Sequence, residues 1–97
     1  MNPVRNSQWY VYILYSKKDD FIYTGCTNNI NNRLIEHNNK KVLSTKNRLP
    51  LILIYTEICI DRKDAYNREK YLKSGMGKRY IKNRLKNYLT KFNKVNF

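Results

Sequence analysis

Runs of aromatic and branched apolar residues occur at three places in this chain, and apolar residues recur at helical spacing at three others. Trp9–Tyr15 places Trp9, Val11, Ile13 and Tyr15 on one face of an extended chain and Tyr10, Tyr12 and Leu14 on the other. Both faces are largely apolar, so this stretch reads as a central strand. Lys17-Lys18-Asp19-Asp20 reads as a turn, and Phe21–Gly25 begins a second strand, antiparallel to the first by hairpin logic. Thr27, Asn28 and Asn29 offer N-cap oxygens for a helix running to about Asn38, with Ile30 and Leu34 as its apolar stripe. Asn39–Pro50 is polar, basic and aperiodic, and reads as a loop. Leu51–Ile60, rich in Ile and Leu, reads as a third strand whose place in the sheet is left open. Asp61 is a candidate N-cap for a helix over Arg62–Ser74, which Gly75-Met76-Gly77 is expected to stop. Lys78 to about Phe92 reads as a last helix, with Ile81, Leu85, Tyr88 and Phe92 on one buried face.

The predicted order is ββαβαα. It gives an α+β fold: a small three-stranded, mainly antiparallel sheet flanked by helices. One domain is expected over residues 9–92, between a flexible lead-in over 1–8 and a short tail over 93–97. Ninety-seven residues leave room for little more than one small core.

Charge narrows the function. Twenty Lys and Arg stand against seven Asp and Glu, a formal net charge of +13, and no acid follows Glu69. Such a balance favours an anionic partner, most often nucleic acid. Cys26 and Cys59 are too few for a disulfide framework or a metal-ligand cluster. No apolar run approaches the ~18 residues of a membrane span, and the first residues lack the apolar core of a secretory signal. A cytoplasmic, reducing setting with free thiols is therefore expected.

Five residues carry candidate chemistry: Tyr12, Tyr23, Arg33, His37 and Glu69. Glu69 lies four residues after Ala65 and three before Leu72, inside the apolar stripe of its helix. A carboxylate turned inward is costly unless a cation or donors compensate it. An ion pair, for instance with Arg33, or a divalent metal would serve. Arg33 and His37 are one helical turn apart, so both project the same way. An arginine can clamp a phosphate, and a histidine can move a proton near neutral pH. Read singly, each residue has a plainer role. Arg33 suits a surface charge, His37 a helix end, and the tyrosines, two of nine, core packing.

Their joint spacing resembles the GIY-YIG nuclease family, and in particular its small stand-alone bacterial branch, similar to the excinuclease C N-terminal domain. Tyr10-Val11-Tyr12 stands for the first motif and Tyr23-Thr24-Gly25 for the second, with Arg33 and His37 on the next helix and Glu69 on a later one. The likeness runs from about Trp9 to Leu89 and includes the Ser44-Thr45-Lys46 stretch. Tyr10 replaces the eponymous glycine and Thr24 the isoleucine. Cys26 stands where some relatives carry a lysine that assists the nucleophile. The resemblance implies a metal-dependent endonuclease with one Mg²⁺ or Mn²⁺ on Glu69, acting on nucleic acid, DNA in preference to RNA. A role in DNA repair or processing follows by analogy only. Tyr12, Tyr23, Arg33, His37 and Glu69 are its expected catalytic residues, and the general base is either Tyr12 or His37. Tyr10, Val11, Thr24 and Gly25 are expected to serve structure.

Lys40, Lys41, Lys46 and Arg48 in the central loop, with Lys73, Lys78, Arg79 and Lys82, are the expected phosphate contacts. No sequence-reading module is visible, so low sequence specificity is expected, with no obligate protein partner and no membrane. The competing readings are a nucleic-acid-binding module of the same fold without useful activity, and a small basic RNA-associated or ribosome-associated protein.

Overall fold

The computed structural model describes residues 8–91; the expectations for 1–7, for Phe92 and for the tail lie outside the described residues. Three strands, β1 (Trp9–Ser16), β2 (Ile22–Thr27) and β3 (Leu51–Cys59), form one antiparallel sheet in the order β2-β1-β3. β1 is central, as its two apolar faces require: Val11 through Ser16 are all buried. β3, whose place the sequence left open, pairs with β1 on the side away from β2.

One face of β1 carries Val11 and Ile13, which pack against Ala65, Leu72 and Ile81. These come from two helices, α2 (Arg62–Lys73) and α3 (Gly75–Arg84). A bulge in β3 leaves Ile54 without a partner in β1, since Ile13 pairs with Tyr55 and Leu14 with Leu53. Ile54 and Tyr55 both reach this core as a result. The other face carries Tyr12, which meets His37 of α1 (Ile30–Asn38).

The helix starts follow local chemistry. Asn29 caps α1, its side-chain oxygen accepting from the Asn32 amide at 3.1 Å. Asp61 caps α2 through the Lys63 and Asp64 amides at 2.9 and 3.3 Å. The Gly75-Met76-Gly77 stretch is not the stop expected: it forms the first turn of α3. Ser74 ends α2 and caps α3, its hydroxyl accepting from the Gly77 amide at 3.2 Å. Gly77 is buried against the Tyr71 carbonyl and the Leu72 backbone, so its missing side chain allows two helices to meet closely.

The last helix expected is two: α3 gives way at Leu85 to α4 (Lys86–Leu89). Leu85 keeps its amide bond to the Ile81 carbonyl at 2.9 Å across the kink. Leu89, absent from the expected stripe, is buried, and Tyr88 is half-buried. The central segment is irregular, as expected, yet packed: Val42 and Thr45 are buried. Among the described residues no helix is long and apolar enough to cross a membrane.

Candidate active site

The sheet pairing places Tyr12 directly opposite Gly25. The Tyr12 ring lies across the Gly25 backbone, and a Cβ built at Gly25 would come within 2.5 Å of the phenol. Gly25 does not have a positive φ, so glycine is required here for space rather than for backbone conformation. The second motif thus makes the bed on which the first motif's tyrosine lies. Thr24 is buried on the opposite face, Val11 is in the core, and Tyr10 is half-buried with its hydroxyl donating to Gln8 at 3.2 Å.

α1 brings its side chains over this tyrosine. The Tyr12 hydroxyl and His37 Nε2 are 2.9 Å apart. Arg33 Nε donates to the same hydroxyl at 3.4 Å, while its Nη1 holds Glu36 at 2.8 Å. Tyr23 completes the group by ring contact, 5.0 Å from His37 and 6.2 Å from Tyr12 between centroids. Four of the five expected residues therefore touch one another. Tyr12 and His37 are 0% exposed, whereas Tyr23 and Arg33 are partly exposed and form the side that solvent reaches.

Electrostatics follows from that burial. Loss of solvent, aided by the Arg33 charge, lowers the pKa of His37 to about 4, so its imidazole is neutral at pH 7. Burial raises the pKa of Tyr12 above the ordinary phenol value, with Tyr23 adding to the effect and Arg33 opposing it. The free protein keeps Tyr12 as a phenol.

Two further residues enter that carried no chemistry in the sequence. Thr45, itself 0% exposed, sets its hydroxyl 2.7 Å from His37 Nδ1. It belongs to the Ser44-Thr45-Lys46 stretch of the family likeness, but an aperiodic loop gave no sign of which side chain turns inward. Glu36, three residues after Arg33, fixes the guanidinium through the ion pair above.

Glu69 stands apart from this hydrogen-bonded group. It is half-buried on α2, with 22% of its side chain exposed, and pairs with Lys73 Nζ at 2.9 Å. The ion-pair alternative is thus realised with Lys73, and Arg33 pairs with Glu36. Glu69 lies close enough to Cys26 of β2 for its charge to reinforce burial in raising that thiol to about 11. Cys26 is therefore a protonated thiol, no substitute for a lysine. Among the described residues no group of three or more His, Cys, Asp or Glu could enclose a metal. A Mg²⁺ site needs less, because one or two carboxylates with waters and phosphate oxygens suffice. The Lys73 ammonium against Glu69 shows that this half-buried carboxylate attracts a cation, and one such carboxylate is the least that an open site of that kind requires.

The basic residues divide into committed and free-standing ones. Arg48 holds Asp19 at 2.6 Å and stacks 3.8 Å over the Phe21 ring. Lys40, Lys41, Lys46, Lys78, Arg79 and Lys82 are exposed, and Lys73 and Lys78 line a cavity of about 210 Å³ floored by Ile13, Leu72 and Ile81.

Comparison with known proteins gives the same outline. Residues 8–86 match the family described as the GIY-YIG catalytic domain. A UPF0213 protein of Desulfotalea psychrophila is 43% identical over 67 residues, 67% of this chain and 60% of the relative. A UPF0213 protein of Clostridium perfringens is 43% identical over 65 residues, 66% of this chain and 69% of its own length. One from Staphylococcus haemolyticus is 39% identical over 66 residues, covering 67% and 79%. The chain thus spans less than two thirds of the first of these relatives. No solved structure matches.

Proposed function

The chain belongs to the GIY-YIG family, and from that premise we propose that it is a metal-dependent endonuclease that hydrolyses phosphodiester bonds, in DNA in preference to RNA, with little sequence selectivity. The observation that carries this reading is the contact group of Tyr12, Tyr23, Arg33 and His37, two phenols, a guanidinium and an imidazole gathered at one point of the sheet. Packing alone does not call for a buried phenol bridging an imidazole and a guanidinium.

The roles follow from exposure and charge. Arg33 is reachable from solvent and is held by Glu36, so it presents its remaining N–H groups to a phosphate and stabilises the charge that grows there. Glu69 would hold Mg²⁺ or Mn²⁺ once Lys73 gives way. When bound, that ion supplies Lewis-acid stabilisation of the scissile phosphate and the departing 3′ oxygen. Tyr12 is the favoured base, because the imidazole of His37 is too weak a base at neutral pH. The Tyr12 proton leaves through partly exposed Tyr23 to solvent. The phenolate takes a proton from a water, the hydroxide so formed attacks phosphorus in line, and the 3′ oxygen leaves with its bonding pair and is protonated by solvent. Arg33 favours the phenolate by donating to its oxygen. A repair or processing role remains part of this proposal, by family analogy.

The test is cleavage of end-labelled single-stranded, duplex and branched DNA, with RNA controls, in Mg²⁺, Mn²⁺ or EDTA. Cutting that requires metal and falls at least 100-fold in Glu69→Gln supports the nuclease. Salt-sensitive binding without cutting on any substrate leaves the non-catalytic binding module, the reading that the Lys73–Glu69 pair and the net charge of +13 would then favour.

A further inference from the structure

We infer that Thr45 is a positioning residue: its buried hydroxyl donates to His37 Nδ1, fixes the imidazole in the Nε2–H tautomer, and thereby makes His37 a second N–H donor to the Tyr12 oxygen. The inference deepens the nuclease reading, which it takes as its premise for the kinetic part of the test.

The argument is an accounting of hydrogens. A hydroxyl sealed from water must place its hydrogen on an acceptor or lose the solvation that hydrogen had. The described partner of the Thr45 hydroxyl is His37 Nδ1 at 2.7 Å, and Thr45 is 0% exposed. Donation by Thr45 leaves Nδ1 as the acceptor, so the ring proton sits on Nε2, pointing at the Tyr12 oxygen 2.9 Å away. That oxygen then receives two N–H groups, from His37 Nε2 and Arg33 Nε. The hydrogen left over is Tyr12's own, beside partly exposed Tyr23 and its route to water.

The opposite tautomer reverses both bonds: Nδ1–H points at Thr45, and Tyr12 donates to Nε2. It strands the Thr45 hydrogen in a fully buried place and takes one donor from the Tyr12 oxygen. The stranded hydrogen therefore separates the two arrangements, and the first arrangement is also the one that prepares Tyr12 to become a phenolate. The loop is built to deliver the hydroxyl. The Thr45 amide donates to the Val42 carbonyl at 3.1 Å, and the Thr45 carbonyl accepts from Arg48 at 2.9 Å, so successive turns hold the residue from both sides.

His37 is the chain's only histidine, which makes the measurement direct. In protein carrying ¹⁵N-histidine, long-range proton–nitrogen correlation at pH 7 distinguishes a protonated Nε2 from a protonated Nδ1. An Nε2–H ring in the native protein, retained in Thr45→Ser and lost or averaged in Thr45→Val, is expected. An Nδ1–H ring in the native protein overturns the inference, whether or not any variant folds.

The kinetic arm uses the pH dependence of kcat at saturating metal. Thr45→Val should lower kcat at pH 7 by roughly 10- to 100-fold, the usual effect of removing the partner of a functional imidazole's second nitrogen. KM should hold, and the loss should be the same factor at each pH where Tyr12 is a phenol in both proteins, because each phenolate fraction then rises in parallel with pH. The groups facing this pair are Arg33 and Glu36 from α1 and Tyr23 from β2, all unchanged in the variant. Thr45→Ser should restore the native rate and profile. A Thr45→Val rate within twofold of native, or a loss that Thr45→Ser does not repair, would sink the positioning role. The tautomer is read without cleavage, so failure of the nuclease reading and failure of this one are told apart.

Discussion

At Gly25 a single absent Cβ decides where the Tyr12 phenol lies. Gly25→Ala brings a methyl within 2.5 Å of the Tyr12 ring, deep in the sheet, so the ring must move. The substitution should destabilise the fold by about 1–3 kcal/mol, as overpacking does, and reduce cleavage more than stability alone explains. Urea denaturation beside the cleavage assay checks both, and unchanged values in both would remove the close approach as the reason for glycine. His37 carries a second residue-scale prediction. Its pKa is 6.5 when unfolded and about 4 in the fold, so the unfolded chain binds more protons between those values. Stability therefore rises with pH across that window, and acidification through it costs on the order of 3 kcal/mol. Below about pH 4 both states are protonated and the loss is complete. Denaturation midpoints at pH 7 and 4.5 should differ far less in His37→Gln than in the native protein; equal acid sensitivity would contradict the burial. Of this site, Tyr12, Tyr23, Arg33 and His37 were legible because motif spacing and one helical turn fix their proximity. Thr45 and Glu36 were not: one hangs from an aperiodic loop, and the other looked like an ordinary surface acid.

The helices show where glycine is ambiguous in a sequence. Gly75-Met76-Gly77 reads as a stop because glycine disfavours helix, yet α3 begins there. What the sequence could not reveal is that two helices share Ser74 as boundary and cap, which brings Gly77 against the α2 backbone. The two glycines should therefore respond to alanine with opposite signs. At Gly75 the nearest obstacle to a Cβ is the flexible end of Arg79 at 4.0 Å, so Gly75→Ala should gain about 0.5–1 kcal/mol in helix propensity. At Gly77 the same gain is outweighed by collision with the Tyr71 carbonyl and Leu72 Cα, which are backbone and cannot swing aside. A net loss of about 1–3 kcal/mol, several degrees in Tm, is expected. Thermal unfolding of the two variants side by side settles it, and a stabilised Gly77→Ala would mean that the helices do not meet closely. The strands were easier to read. Two apolar faces announced β1 as central, whereas β3 left its sheet position open because pairing partners are a property of the folded whole.

The charge of the whole molecule governs how it meets a polyanion, but not every cation contributes. Arg48 is tied to Asp19 and stacked on Phe21, and Lys73 is tied to Glu69, whereas Lys78, Arg79 and Lys82 stand exposed on α3. A cation already paired with a carboxylate releases fewer counterions from nucleic acid, because part of its charge is spent within the protein. Each free cation that neutralises a phosphate steepens the fall of log K with log salt by about 0.9 on duplex DNA and about 0.7 on single strands. If all three α3 cations touch phosphate, the Lys78→Ala, Arg79→Ala, Lys82→Ala triple variant should lower the slope by about 2–3, equally on unrelated sequences. Arg48→Ala should change the slope by much less than one and act mainly on the Asp19 turn. Binding isotherms for a short labelled oligonucleotide across a salt series give both numbers. A full unit lost on Arg48→Ala, with the triple variant unchanged, would move the phosphate track from α3 to the central loop. The strand would then enter beside Thr45 and His37, rather than along the helix that follows Glu69.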